Sequence, residues 1–463
     1  MLSQTVRDRY RCPEGFLSFR RSGDLSPDAG YFQFGPDTIC YGRTSNGVHR
    51  AQLTSALDDV LPGIAIEGTQ IVLPFDPDEV IDNLRLERYL GGQFGECTNV
   101  LKKIYYGLRP LTTRWLRKYI QRLRAGNWQK VPFPQWPVDT TVESICEKLL
   151  LLSLQAKGVD RVPFVWFWPN GARGCVSMTH DIETAAGRDF CPQLLDLDDF
   201  FGIKASLLIV PEERYAVTPE FLSQTRDRGF EIGVQDLNHD GRLFDDREEF
   251  RRRAVLINRH GQEYGAKGFR SAVLYRKPDW YQDLDFSFDM SMPNVAHLDP
   301  QRGGCCTVMP YFIGNILELP VTTVQDYTLF HLLNLRSIDL WKTQLEMILA
   351  KNGLATFIVH PDYVIESGTR SVYEDLLRWM AELRERGNLW FALSGEIDSW
   401  WRERSRMSVV EAGDSWRIVG EGSRRAVLAF AKVVDGRLTY ELTDTPQREP
   451  SVRHRFSATH RSQ

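Results

Sequence analysis

The sequence predicts an α/β protein built around a barrel of parallel strands. From Arg173 to about Trp401, short apolar runs alternate with segments whose apolar residues recur at helical spacing. That alternation, repeated about seven times, gives a parallel sheet, because parallel neighbours need a crossover and a helix is its usual form. The polar chemistry supplies a second observation. Asp181, Glu183, Gln235, His239 and His360 stand at or just past the ends of apolar runs, the rim where α/β proteins place their sites.

Composition sets the outer limits. A chain of 463 residues, 42% hydrophobic and 25% charged, has room for roughly two or three domains and a core that needs no covalent staples. The formal net charge of −4 gives no pull toward nucleic acid, and no such partner is expected. Met1–Tyr10 lacks the apolar stretch of a secretory signal, and no apolar run approaches the roughly 20 residues that span a bilayer. A cytoplasmic protein is the expectation. None of the eight cysteines forms a Cys-x-x-Cys pair, so plain thiols are expected rather than a structural zinc site.

The elements follow in chain order. Residues 1–130 read as a mixed α/β domain, with strands at Tyr31–Phe34, Thr38–Tyr41 and Gln70–Pro74 and a helix over Asp78–Arg88. Between Cys97 and Val138 there is no acidic residue. Within that stretch, residues 111–124 alternate apolar and basic positions as a basic amphipathic helix does. Such a helix packs on its own domain with a solvated basic face, or it meets an anionic membrane or a polyanionic ligand. Residues 131–172 form a proline-rich connector and a helix, for which Thr140 and Glu143 have the spacing of a capping box.

The barrel is expected over 173–402. Its strands are Cys175–Thr179, Ala205–Val210, Glu231–Val234, Gly268–Ser271, Ile316–Leu319, Ala355–Val359 and Leu389–Ala392. Helices fill the intervals, among them Thr218–Gly229, Asp246–Glu263, Ser337–Asn352 and Ser371–Gly387. Residues 403–446 read as a small antiparallel β unit, and 447–463 as a disordered polar tail.

Asp181 and Glu183 are two apart, which in a strand puts both on one face and His180 on the other. Val176–Glu183, Glu231–His239, Gly268–Ser271, Phe288–Ser291 and Phe357–Pro361 resemble, in order, the motifs of the polysaccharide deacetylases, the NodB-like carbohydrate esterases. The resemblance covers about 170–402. It implies a distorted seven-stranded (β/α) barrel, flanked here by the N-terminal α+β domain and the C-terminal β unit.

It also implies roles. Asp181 would take a proton from water, and Arg270 would pair with and orient it. Glu183 and His239 would hold a divalent metal, zinc first among candidates. His360 would protonate the leaving nitrogen, and Asp289 would set the protonation state of His360. Gln235 stands where the family has a metal-binding His; an amide oxygen can ligate, but it is a poorer donor to zinc than imidazole.

Taken singly, these residues have plainer readings: solvated carboxylates, ion-pair partners of His180 or Arg270, a strand-capping His360, an exposed turn His239. Taken together, they imply a metal-dependent hydrolase that removes an N-acetyl group from a sugar or a lipid- or nucleotide-linked glycan precursor. Hydrolysis of a small cyclic amide and a degenerate barrel that only binds glycan remain as alternatives. The basic helix would suit either the pyrophosphate group of such a precursor or the inner face of a membrane where such precursors sit. His297 and Asp299 lie on a loop expected to touch substrate.

Overall fold

The computed structural model of the chain describes residues 3–45, 47–54, 56–94 and 128–443. The basic helix expected over 111–124 and the polar tail expected from 447 lie outside the described residues.

The N-terminal unit opens with a helix, Gln4–Tyr10. Strands Phe19–Arg21 (β1), Ala65–Glu67 (β4) and Gln70–Leu73 (β5) make one sheet, while Gly30–Gln33 (β2) and Ile39–Gly42 (β3) make a hairpin. The second helix is Pro77–Arg85. Its N-cap Asp76 accepts from the Asp78 and Glu79 amides, and Pro77 takes the first helical position, where a missing N–H costs nothing.

The long helix Thr141–Lys157 corrects one expectation. Thr140 is its N-cap, but its hydroxyl makes no cap hydrogen bond; the Asp139 carboxylate accepts the Thr141 amide at 2.8 Å instead. Glu143 is buried and spent elsewhere: it accepts from the Thr307 hydroxyl at 2.5 Å and lies 3.6 Å from Arg9. A strand, Arg161–Val165 (β6), follows.

The main sheet is parallel and curled. Its strands are Gly174–Ile182 (β7), Ala205–Ile209 (β8), Glu231–Gln235 (β9), Gly268–Arg270 (β10), Phe288–Asp289 (β11), Tyr311–Ile313 (β12), Ile316–Glu318 (β13), Leu354–Ile358 (β14) and Leu389–Phe391 (β15). They run β12-β13-β11-β10-β9-β8-β7-β14, with β15 beside the start of β7 and only β12 antiparallel. The remaining gap, between the exit of β13 and β14, is bridged by side chains. Thr322 and Thr323 hydroxyls donate to the Leu354 and Thr356 carbonyls at 2.7 and 2.8 Å, and the Thr356 amide donates to Thr322 at 2.9 Å.

Where seven barrel strands were expected, nine form one curled sheet. Past it, Ser408–Ala412 (β16) and Ser415–Val419 (β17) form a hairpin, and Leu428–Val434 (β18) pairs with Arg437–Leu442 (β19). β18 also pairs with β6. The C-terminal strands are therefore sewn to the chain that enters the main sheet. One apolar core joins the N-terminal unit, the Thr141–Lys157 helix and these strands; a second is built on the curled main sheet and its helices. No helix among the described residues is long and apolar enough to cross a membrane.

Candidate active site

The carboxyl ends of the parallel strands deliver the polar residues to one mouth. β7 is buried along its whole length. Strand alternation turns Thr179 and Asp181 toward one face and His180 toward the helices on the other. Gln235, Arg270 and Asp289 are the last residues of β9, β10 and β11. In register, Gln235 lies beside Arg270, and Asp289 beside both Phe269 and Glu318. Glu183 and His360 follow their strands by one and two positions.

Asp181 is held from two sides. Arg270 donates to its Oδ1 at 2.5 Å, and the Gln235 amide donates to its Oδ2 at 3.1 Å. Arg270 is fully buried and is itself fixed by the Met290 carbonyl and the Thr179 hydroxyl, each at 2.9 Å. Glu183 is the centre of the remaining contacts. Its Oε1 lies 2.8 Å from His239 Nε2, 3.4 Å from His360 Nε2 and 3.2 Å from Gln235 Nε2. His239 reaches it from a left-handed backbone position, φ 55°.

His360 has a carboxylate behind it. Asp326, at the start of the helical stretch that follows β13, lies 2.6 Å from His360 Nδ1 and accepts the His360 amide at 2.7 Å. Because a carboxylate accepts, Nδ1 carries a proton and Nε2 faces the mouth.

These contacts set the charges. Burial alone would raise the Glu183 carboxyl, but His239 and His360 outweigh it and hold the group well below its ordinary range. Burial would depress His360, yet Asp326 and Glu183 together raise it well above the ordinary imidazole value. His239 is raised too, Glu183 overcoming the cost of burial. The cluster is thus a depressed carboxylate between two raised imidazoles, which favours ionised Glu183 and protonated His360.

Two expectations need correction. Asp289 does not touch His360. It accepts from the Ser291 amide and hydroxyl at 3.1 and 2.7 Å, and burial raises its carboxyl beside Glu318. The partner of His360 is Asp326, which no spacing in the sequence marks, since the two are brought together only by the turn that leaves β13. Gln235, expected to offer its amide oxygen to a metal, instead presents N–H to Asp181 and Glu183; its Oε1 has no hydrogen-bond partner among the described residues.

The donor set fits a divalent ion in a different arrangement from Glu183, Gln235 and His239. Asp181, Glu183 and His360 offer ligand atoms that all lie within 4.8 Å of one another. Two carboxylates and an imidazole are a chemically suitable set for zinc. His239 is against Glu183 but outside that group.

A small cavity is lined by Trp136, Leu274, Leu298, Asp299, Val321 and Gln325, and none of Asp181, Glu183, His239 and His360 lines it. Leu274 and Val321 pack on Ile358, two residues before His360, and Gln325 adjoins Asp326. His297 is buried and stacks on Trp136, with ring centroids 6.1 Å apart. Burial lowers its imidazole to about 4, so it is neutral.

No protein-family profile and no curated protein sequence matches the chain. Solved structures do. A candidate polysaccharide deacetylase from Mycobacterium smegmatis is 16% identical, covering 54% of this chain and 96% of its own, with a TM-score of 0.43. PuuE allantoinase is 14% identical over 51% of this chain and 92% of its own, with a TM-score of 0.41. The peptidoglycan deacetylase PdaC from Bacillus subtilis is 11% identical over 51% and 95%, with a TM-score of 0.33.

Proposed function

We propose that the chain is a hydrolase of the polysaccharide-deacetylase type that cleaves an N-acyl group from a sugar. One observation carries the reading. Asp181, braced by Arg270, and His360, braced by Asp326, flank Glu183 at one strand-end mouth. That is a base, an acid and an anionic anchor in one place.

A divalent ion would be held by Glu183 with His239, leaving Asp181 and His360 for proton transfer, and would polarise the scissile carbonyl and acidify water. The protein's own residues would do the rest. Arg270 keeps Asp181 aimed into the mouth, so that it can accept a proton from water. His360, raised by Asp326 and Glu183, carries the proton that the departing amine needs.

A second reading, a barrel that only binds glycan, is favoured by Gln235, whose N–H groups tie Asp181 to Glu183 without a metal. Acetate release from N-acetylated oligosaccharides, measured with and without added zinc, separates the two. The hydrolase should turn over, and Asp181→Asn and His360→Ala should each lower the rate by about 10²-fold or more. Glycan binding without acetate release, or wild-type rates in both variants, would remove the hydrolase reading. Ring opening of a cyclic amide without acetate release would redirect it.

A further inference from the structure

We propose that His180, which faces away from the mouth, is a positioning residue that sets His360 through the backbone. The peptide group joining Val359 to His360 is gripped at both ends. His180 Nδ1 lies 2.9 Å from the Val359 carbonyl oxygen, while Asp326 accepts the His360 amide at 2.7 Å. In a trans peptide, carbonyl and amide point in opposite directions. The two contacts therefore hold one rigid plane at opposite edges, His180 from the outer side and Asp326 from the segment after β13.

The sheet register explains why a side chain is needed there. β14 is paired with β7 as far as Ile358, opposite Thr179, and the Val359 amide donates to the Thr179 carbonyl at 3.0 Å. The chain then leaves the ladder into the short helix Pro361–Val364. The Val359 carbonyl is the last acceptor before that departure, and His180 takes it.

His180 is in turn fixed by groups that have no contact with the mouth. Its Nε2 lies 2.9 Å from Asp198 Oδ2, on the helix Ala185–Phe201. The Tyr373 hydroxyl, on the helix Ser367–Arg386, donates to the other Asp198 oxygen. His180, Asp198 and Tyr373 are all wholly buried. Both partners of the imidazole are acceptors, so both ring nitrogens act as donors.

An apolar ring would fill this space at lower cost, since buried polar and ionic groups are weak stabilisers compared with well-packed hydrophobes. A network placed there, with every member satisfied, fixes geometry instead. Geometry matters at this point, because a displacement of about 1 Å at a reacting group can cost about 10²-fold in rate.

The kinetic part of the test rests on the hydrolase reading; the spectroscopic part does not. Asp198→Asn removes the buried charge but leaves His180 donating to Val359. The double variant His180→Phe/Asp198→Asn removes the donor as well, in a neutral and ring-shaped replacement. His180→Gln/Asp198→Asn restores an N–H donor toward Val359. Each is measured for melting temperature, for kcat and KM, and for the low-field proton resonance of the His360–Asp326 hydrogen bond.

Positioning predicts that Asp198→Asn and the Gln-containing pair keep kcat within about threefold and retain that resonance. The Phe-containing pair should lose at least about tenfold in kcat, with KM within about threefold and the resonance shifted or broadened. Equal kcat and an unchanged resonance in the Phe-containing pair would overturn the proposal, as would a loss confined to KM. If no variant, wild type included, releases acetate, the hydrolase reading fails by itself and the resonance alone decides the role of His180. If the Phe-containing pair does not fold, failure of the Gln-containing pair to keep the resonance overturns it.

Discussion

Glu183 Oε1 meets two imidazoles and an amide at 2.8 to 3.4 Å, so residue-scale chemistry turns on its charge. Its folded pKa is depressed, so its contribution to stability is present above the ordinary 4.5 and is lost as pH falls through the lower folded value. His360 is raised, so its contribution is present below the ordinary 6.5 and is lost as pH rises through the higher folded value. The metal-free protein should gain most from this pair between those two ordinary values. Asp326→Asn removes the largest favourable influence on protonated His360. It should lower His360's pKa, move the high-pH fall in rate to lower pH, and cut kcat by at least about tenfold. An unshifted pH–rate profile would show that His360 is not the acid.

At the scale of elements, the seam between the exit of β13 and β14 is the least orthodox part of the sheet. Thr322 is a hydroxyl standing in for a strand: it donates to the Leu354 carbonyl and accepts the Thr356 amide. Thr322→Val keeps the shape and strands both backbone groups in a buried place. A buried unpaired polar group costs about 1–3 kcal/mol, so the variant should lose stability on that order. Urea denaturation with an unchanged m-value would report it. A cost near zero would mean that the two strands are held by packing alone. The same seam carries Asp326 to His360, so activity should fall with it.

Across the whole molecule, the N-terminal unit is fastened to the main-sheet unit by a buried ion pair. Arg276, on the loop after β10, meets Glu87 at 2.5 Å, and neither is more than slightly exposed. Glu87 also accepts the Gly304 amide at 2.5 Å. Gly304 sits at φ 147°, where a Cβ would come within 2.2 Å of the Asn294 carbonyl oxygen. Only glycine fits that turn. Glu87→Ala leaves a guanidinium buried and unpaired, a change that costs about 3–5 kcal/mol. Calorimetry should show one transition for N-terminal unit and main-sheet unit in the wild type. It should move to lower temperature in the variant or split in two. An unchanged single transition would mean that apolar packing alone joins the units.

The alternation of strands and helices, the faces on which Asp181 and His180 lie, and the rim that collects Asp181, Glu183, Gln235, His239, Arg270 and His360 could all be read from sequence. They depend on period and on strand ends, which are local properties. The pairing of β18 with β6, the threonine seam and the capture of Glu143 by Thr307 could not, because each joins segments far apart in the chain. Asp326 behind His360 is the clearest case. The two are 34 residues apart and lie at a helix start and a strand exit, so no periodicity links them. Gln235 is the converse: its position was legible, but which amide atom faces the carboxylates depends on the charges packed around it. Local pattern determined which residues reach the mouth; long-range packing decided which of them touch.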